Sequence, residues 1–163
     1  MKFRDALQSD LPTIVAIYNS TVASRMVTAD TETVSVASRQ QWFDAHTSNK
    51  HPLWIVEDDN KNTIGWVSFQ AFYGRPAYDG TAEISIYLDP LQRRKGYGKM
   101  ILQHCIDSAH TLDINILLGF IFAHNAPSLQ LFTALGFEEW GHLKNIALLD
   151  GTERSLKILG RRV

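Results

Sequence analysis

The 163-residue sequence has a single cysteine, Cys105, and almost no net charge. One cysteine excludes a disulfide within the chain, and we expect a reducing, cytoplasmic setting. The formal net charge of −1 at pH 7 excludes a global attraction to nucleic acid or to an anionic membrane surface. We therefore expect neither nucleic acid nor membrane as a partner.

Long hydrophobic runs and metal motifs are also absent. The longest apolar stretch, residues 114–123, is interrupted by Asn115 and Gly119 and is far shorter than the roughly 20 residues of a membrane span. The first residues, MKFRDALQSD, become charged at once, so we expect no signal peptide. Six histidines are scattered without an HExxH or CxxC companion, so no metal site is predicted.

Hydrophobic periodicity predicts an α/β chain with the element order β-α-α-β-β-β-α-β-α-β-β. The second helix is predicted over Val36 to His46, and the last two strands over NIALL and TERSLKIL around an Asp-Gly turn. Asp10 or Ser9 is expected to cap the first helix, and Gly136 to end the last one. No linker or repeat interrupts the pattern, so we expect a single domain over residues 1–163.

The segment DPLQRRKGYGKMIL, residues 89–102, joins a predicted strand to a predicted helix. Unpaired N–H groups at a helix N-terminus bind anions, and glycines let a ligand approach the backbone closely. Three basic residues precede the first glycine of this turn. No GK[ST] follows, and the spacing differs from GxGxxG, so neither a nucleoside-triphosphate loop nor a dinucleotide fingerprint is indicated. A solvated surface turn is the alternative interpretation.

A second motif follows the buried strand that ends at Ala123: HNAPSLQLFTALGFEEWG. Asn125 and Ser128 lie where this strand leads into a helix. By themselves, both residues can be explained as caps of that helix.

Taken together, YLDPLQRRKGYGKMIL and NAPSLQLFTALGF resemble the GNAT superfamily of acetyl-CoA-dependent N-acetyltransferases over nearly the whole chain. The segment AFYGRPAYDGTAEISIYLDP is similar to the phosphinothricin acetyltransferase branch, in Arg75, Tyr78, Thr81 and Glu83. IYNSTV near Tyr18 resembles the first helix of that branch. The resemblance implies a single-domain α/β fold with a mixed central sheet, a splayed strand pair and flanking helices.

The resemblance also implies acetyl-CoA as co-substrate and no metal. Its pantetheine arm would pair with the backbone of the strand before the glycine turn, at Ile86, Tyr87 and Leu88. Its pyrophosphate would lie over the N–H groups that follow Arg93, which matches the residue that opens the family motif. Asn125 would reach the pantetheine, with Ser128 supporting that helix end. The pyrophosphate residues are Arg94, Lys95, Gly96, Tyr97, Gly98 and Lys99.

In this family a carboxylate removes a proton from the attacking amine, and Glu83 holds the corresponding place. The developing oxyanion is expected to bind a backbone N–H at Tyr87. Arg75, Tyr78 and Tyr87 are candidates for binding the acceptor. As alternatives, Glu83 and Arg75 could be solvated surface residues, and the tyrosines could belong to the core.

Two positions depart from the family pattern. Phe132 stands where many members carry a tyrosine that protonates the leaving thiolate, and phenylalanine has no proton to donate. The loop SRMVTADTE has no arginine at the place where the herbicide-inactivating members carry one. Thr28 lies near that place and is a further candidate for binding the acceptor. A small amino acid or related amine is therefore favoured over phosphinothricin.

The leading hypothesis is an enzyme that acetylates the primary amine of a small amino-acid-like molecule, working as a homodimer. One alternative is acetylation of a protein or peptide N-terminus. Another is a non-catalytic acyl-CoA sensor, although a sensor has no need of a base such as Glu83. A nucleic-acid-binding module is the weakest alternative, because the basic cluster is local.

Overall fold

The computed structural model describes residues 1–163 as seven strands and four α-helices. All strands belong to one sheet in the order β1-β2-β3-β4-β5-β7-β6. Neighbouring strands are antiparallel except for β4 and β5, which are parallel. In chain order the elements are β1 (Lys2–Asp5), α1 (Leu11–Val22), α2 (Gln40–Asp44), β2 (Leu53–Glu57), β3 (Thr63–Ala71), β4 (Thr81–Leu88), α3 (Tyr97–Ser108), β5 (Ile116–Phe122), α4 (Ala126–Ala134), β6 (Glu138–Leu149) and β7 (Thr152–Arg162).

The order of elements agrees with the sequence-based prediction, but two of them have different bounds. Helix α2 covers only Gln40–Asp44, preceded by a 3-10 turn at Ala37–Arg39, because only Trp42 and Phe43 of this segment pack against the core. Strand β6 begins at Glu138 rather than near Asn145. Register shifts along β6 break the alternation that would have revealed its first half.

The ends of the helices follow local chemistry, with one correction. Asp10 does not cap α1 through its side chain; its carboxylate accepts hydrogen bonds from Arg4 Nη1 at 2.7 Å and from the Leu7 N–H at 2.7 Å. The hydrogen bond from Arg4 is the main reason why the pKa of Asp10 lies below its usual value. Gly136 follows α4 with φ +79°, as expected for a residue in the left-handed region.

The sheet is covered on both faces. Helices α3 and α4 pack on one face, where Cys105 is fully buried and where burial raises the pKa of its thiol. Helix α1 packs on the other face, and the indole of Trp66 donates a hydrogen bond of 3.1 Å to the carbonyl of Ile14. Cys105 is thus a core residue. No helix is both long enough and apolar enough to cross a membrane.

Candidate active site

Strands β4 and β5 separate after a short paired segment. Their pairing is confined to Thr81–Glu83 on β4 and Ile116–Leu118 on β5, although β4 continues to Leu88 and β5 to Phe122. Beyond Glu83 and Leu118 the two strands diverge and leave a gap in the middle of the sheet. The predicted splayed pair is confirmed.

The register of β3 and β4 determines which backbone groups face this gap. At the two ends of the ladder, the Asp89 N–H donates to the Ile64 carbonyl at 2.9 Å and the Phe72 N–H donates to the Thr81 carbonyl at 3.4 Å. In an antiparallel ladder, hydrogen-bonded pairs recur at every second residue. The backbone N–H and C=O groups of the odd-numbered residues of β4 therefore bond to β3. The backbone groups of the even-numbered residues point away from β3.

This alternation corrects the expected oxyanion donor. Tyr87 is paired with Trp66, so its N–H is directed to β3 and not to the gap. The N–H groups of Ile86 and Leu88 face the gap instead. The Leu88 carbonyl is likewise outside the β3 ladder, since it accepts a hydrogen bond of 3.3 Å from Arg93 Nε.

The glycine turn lies where β4 ends. Gly96 has φ +82° and immediately precedes α3, and a Cβ built on it would meet no atom within 4 Å. The first hydrogen bond of this turn is from the Lys99 N–H to the Gly96 carbonyl, at 3.2 Å. The N–H groups of Tyr97 and Gly98 thus precede any intrahelical bond and donate to no backbone carbonyl, as an anion site requires.

Not all residues of the turn are free to bind a ligand. The Arg93 guanidinium is tied by Nη2 to Ser20 Oγ at 3.0 Å, and Lys95 Nζ donates to Gln92 Oε1 at 2.9 Å. A Cβ on Gly98 would lie 3.2 Å from Leu131 Cδ2, so this glycine allows α3 to pack closely on α4. Arg94 and Lys99 are exposed.

Asn125 and Ser128 have the capping geometry considered above. Asn125 is buried, its Oδ1 accepts from the Ser128 N–H at 3.3 Å, and its Nδ2 donates to the Met26 carbonyl at 3.0 Å. The neighbouring His124 Nε2 lies 2.8 Å from the Arg25 carbonyl. These two residues fasten the loop after α1 to the end of β5. The cofactor contacts of Asn125, Ser128 and the glycine turn stay predictions.

A cavity of about 190 Å³ opens on the α1 side of the sheet. Glu83, Ser85 and Tyr87 of β4 line it, because alternate side chains of a strand share one face. The remaining lining residues come from α1, the α2 region and β3: Ile14, Val15, Tyr18, Arg39, Trp42, Trp66, Ser68 and Gln70. The Tyr87 ring stacks on Trp66, with centroids 4.4 Å apart. The cavity combines aromatic walls with a few polar groups, as small-molecule sites do.

Glu83 is the only acidic side chain that lines this cavity. It is half-buried and takes part in no hydrogen bond through its side chain and in no ion pair. Burial raises the pKa of its carboxyl above the ordinary value of 4.5. An unpartnered carboxylate with a raised pKa is equipped to accept a proton.

Tyr18, Asp30 and Arg39 form a linked group beside Glu83 that the sequence interpretation did not assign to the site. The Tyr18 hydroxyl donates to Asp30 and also bonds to Thr28, and burial is the main cause that raises the pKa of Tyr18. Arg39 Nη2 lies 2.7 Å from Asp30 Oδ2, and Arg39 Cζ lies 4.6 Å from the Tyr18 ring centroid. Thr28 is buried beneath this group and does not line the cavity.

Arg75 and Tyr78 lie elsewhere. Both are exposed and line a second cavity of about 320 Å³ at the segment that connects β3 to β4, together with His51, Phe72 and Asp79. The structure does not bring them together with Glu83 in one cavity. Their role in binding the acceptor stays a prediction.

Phe132 is buried against β5. A Cβ on Gly119 would lie 2.5 Å from Phe132 Cε1, and the Phe132 and Phe137 rings meet edge to face at 4.8 Å. Gly119 is therefore required for this close approach. Phe132 fills the core next to the first residue of β5 beyond its pairing with β4 and supplies no proton.

A split parallel strand pair, followed by a glycine turn at a helix N-terminus, defines the fold of the acetyl-CoA-dependent acetyltransferases. Residues 1–138 match the acetyltransferase (GNAT) domain, and the chain belongs to this family. It is an N-acetyltransferase, and its co-substrate is acetyl-CoA.

Two relatives have names that state an amino-acid-like acceptor. The chain is 53% identical over 163 residues to YwnH of Bacillus subtilis, provisionally named a phosphinothricin acetyltransferase, covering 100% of this chain and 99% of YwnH. It is 34% identical to the L-methionine sulfoximine/L-methionine sulfone acetyltransferase of Pseudomonas paraeruginosa, over 88% of this chain and 83% of that protein.

A solved structure supports the same assignment. The GNAT superfamily phosphinothricin acetyltransferase of Sinorhizobium meliloti, crystallised with acetyl-CoA, superposes with a TM-score of 0.91 at 30% identity. The match covers 99% of this chain and 88% of that one. The α/β fold expected from the sequence is confirmed.

Proposed function

We propose that this enzyme transfers the acetyl group of acetyl-CoA to the primary amine of a small amino-acid-like acceptor, with Glu83 as general base. The observation that carries the proposal is the position of Glu83. It is the last residue of β4 that pairs with β5, and its side chain lines the cavity on the α1 side. Glu83 thus stands between the gap and the cavity.

The residues around the gap fit acetyl-CoA, which supplies an acetyl group activated as a thioester. The backbone N–H groups of Ile86 and Leu88 are available to a polar chain laid along β4, as in strand addition to a sheet edge. The pyrophosphate fits the open space beside the Cα of Gly96 and the N-terminus of α3, which binds anions. These groups would hold and orient the co-substrate.

The proton chemistry falls to Glu83. An amine with a pKa of about 8 to 10 is mostly protonated at neutral pH, so a base must keep it neutral for attack. Ionised Glu83 accepts that proton. The N–H groups of Ile86 and Leu88 are the donors available to stabilise negative charge on the acetyl oxygen. Because Phe132 has no proton to give, we expect the thiolate to take one from water.

The acceptor class follows from the cavity and the relatives. A cavity of about 190 Å³ with one cationic and one anionic lining residue suits a small zwitterion. The relative from Pseudomonas paraeruginosa is named for methionine sulfoximine and methionine sulfone. We therefore propose amino acids of this kind as acceptors.

A thiol-release assay with acetyl-CoA tests the proposal. The panel contains L-methionine sulfone, L-methionine sulfoximine, phosphinothricin, a polyamine and a short peptide with a free N-terminus. We expect the sulfone or sulfoximine to give the highest kcat/KM. Release with the peptide alone would support N-terminal acetylation instead, and cofactor binding without release for any amine would support a sensor.

Two further properties belong to this proposal. We propose a homodimer, because Trp140, Ile146 and Leu148 expose apolar surface on β6, one of the two edge strands of the sheet. Phe137, directly before β6, is buried in the core and does not contribute to this surface. We also propose a cytoplasmic location, in keeping with the single buried cysteine, Cys105. The proposed enzyme domain extends over residues 1–163.

A further inference from the structure

Among the residues that line the Glu83 cavity, Arg39 is the only cation. The other side chains there are apolar, aromatic or neutral polar, apart from Glu83 itself. Any anionic group of an acceptor bound in this cavity must be neutralised by Arg39 or remain unpaired. An unpaired charge in a partly buried site is costly.

Most of the Arg39 guanidinium is available for a ligand. It carries five N–H donors, and its single hydrogen bond in the structure runs from Nη2 to Asp30 Oδ2, at 2.7 Å. The side chain is 28% exposed. The remaining donors can form the two parallel bonds with which arginine recognises a carboxylate or a related oxyanion.

The guanidinium is also held in place before a ligand arrives. Its Cζ lies 4.6 Å from the centroid of the Tyr18 ring, and the Tyr18 hydroxyl is bonded to the same Asp30 that pairs with Arg39. Asp30 therefore joins the ring and the cation into one unit. Such preorganisation reduces the entropy lost when a ligand binds.

We propose that Arg39 binds the acidic group of the acceptor and makes the enzyme selective for α-amino acids over simple amines. This inference rests on the proposed function and names the residue that recognises the acceptor's carboxylate. It differs from the role predicted for Arg75, which lines the other cavity. Arg39 and Glu83 would then divide the recognition of a zwitterion, the cation taking the carboxylate and the anion taking the amine.

The test compares Arg39→Gln and wild type on L-methionine sulfone and on the amine left when its carboxylate is removed. We expect the Arg39→Gln substitution to lower kcat/KM for the amino acid by about 100-fold, mainly through KM, because two charge-assisted hydrogen bonds to the carboxylate are lost. The decarboxylated amine should change by less than about threefold. Calorimetric titration of L-methionine sulfone into the CoA-saturated protein should show the same loss of affinity.

Two comparison variants make the outcome decisive. Arg4→Gln removes an equally exposed arginine that pairs with Asp10 and Glu57 outside the cavity, and it controls for loss of an ion pair. Arg75→Gln tests the second cavity. Equal losses for both acceptors in Arg39→Gln, or a selective loss in Arg75→Gln alone, would overturn the proposal. Absence of acetylation in wild type with every amine would instead refute the proposed function.

Discussion

Replacement of Glu83 by glutamine separates proton transfer from binding. Glutamine keeps the shape of the side chain but cannot accept a proton from the amine. General-base assistance is worth about 10²–10⁴ in rate, or roughly 3–5 kcal/mol of activation free energy. Because Glu83 has no hydrogen-bond or ion-pair partner to leave behind, we expect a loss of this size in kcat at pH 7 with an unchanged Kd for acetyl-CoA.

The pH dependence gives the sharper test. Only ionised Glu83 accepts a proton, and burial raises its pKa, so wild-type kcat should fall as the pH drops through a value above 4.5. In Glu83→Gln the fall in kcat that is caused by protonation of Glu83 should disappear. Its rate should instead rise about tenfold per pH unit, up to the pKa of the free amine, because each unit multiplies the neutral amine fraction tenfold.

Stability provides the control for this variant. A carboxyl whose pKa is raised in the folded state makes the protein more stable as the pH falls and less stable when ionised. Glu83→Gln should therefore leave the free energy of unfolding at pH 7 equal to that of wild type or slightly higher. A variant that loses activity equally at every pH, binds acetyl-CoA weakly and unfolds earlier would show that Glu83 is structural.

The remaining predictions concern the cofactor turn and the assembly. Gly96→Val should raise the Kd for acetyl-CoA at least about tenfold. The control is Gly151→Val, at a glycine on the β6–β7 turn with a similar φ (+79°) and equal open space, which should suffer the same backbone strain without weaker binding. Equal affinity for acetyl-CoA in both variants would refute the proposal that the Gly96 turn binds the pyrophosphate. Sedimentation velocity at micromolar concentration should give a particle of twice the 18.4 kDa chain mass, and Leu148→Lys on the exposed side of β6 should convert it to monomer. A wild-type protein that sediments only as monomer would exclude the proposed dimer.

The element order could be predicted because it depends on local patterns, whereas the role of Glu83 was implied by the resemblance to the GNAT superfamily. The alternation in TAEISIYL and the glycines that follow it are enough to indicate a strand that leads into an anion-binding turn. The direction of each N–H on that strand could not be predicted. A shift of one residue in the register with β3 reverses the direction of every N–H and C=O group on β4. The sequence does not contain this register, so it could not distinguish Tyr87 from Ile86 or Leu88 as the oxyanion donor.

The cluster around Arg39 was missed for a different reason. Tyr18, Asp30 and Arg39 come from α1, the loop after it and the 3-10 turn before α2, and only tertiary packing brings them together. In sequence, Arg39 looks like an ordinary solvated helix residue. Arg75 was implied by the resemblance to the phosphinothricin acetyltransferase branch, although the structure places it in another cavity.

The central claim is that β4 binds both substrates. Acetyl-CoA binds to the backbone groups of its even-numbered residues, and the acceptor binds beside the side chains of its odd-numbered residues. Residue-resolved amide hydrogen exchange with and without CoA tests it most directly. In the free protein the amides of Ser85 and Tyr87 should exchange slowly, because they bond to β3, while those of Ile86 and Leu88 exchange quickly. Saturation with CoA should slow Ile86 and Leu88 by at least about tenfold and leave Tyr87 unchanged. Unaltered exchange at Ile86 and Leu88 in the CoA complex would contradict the account.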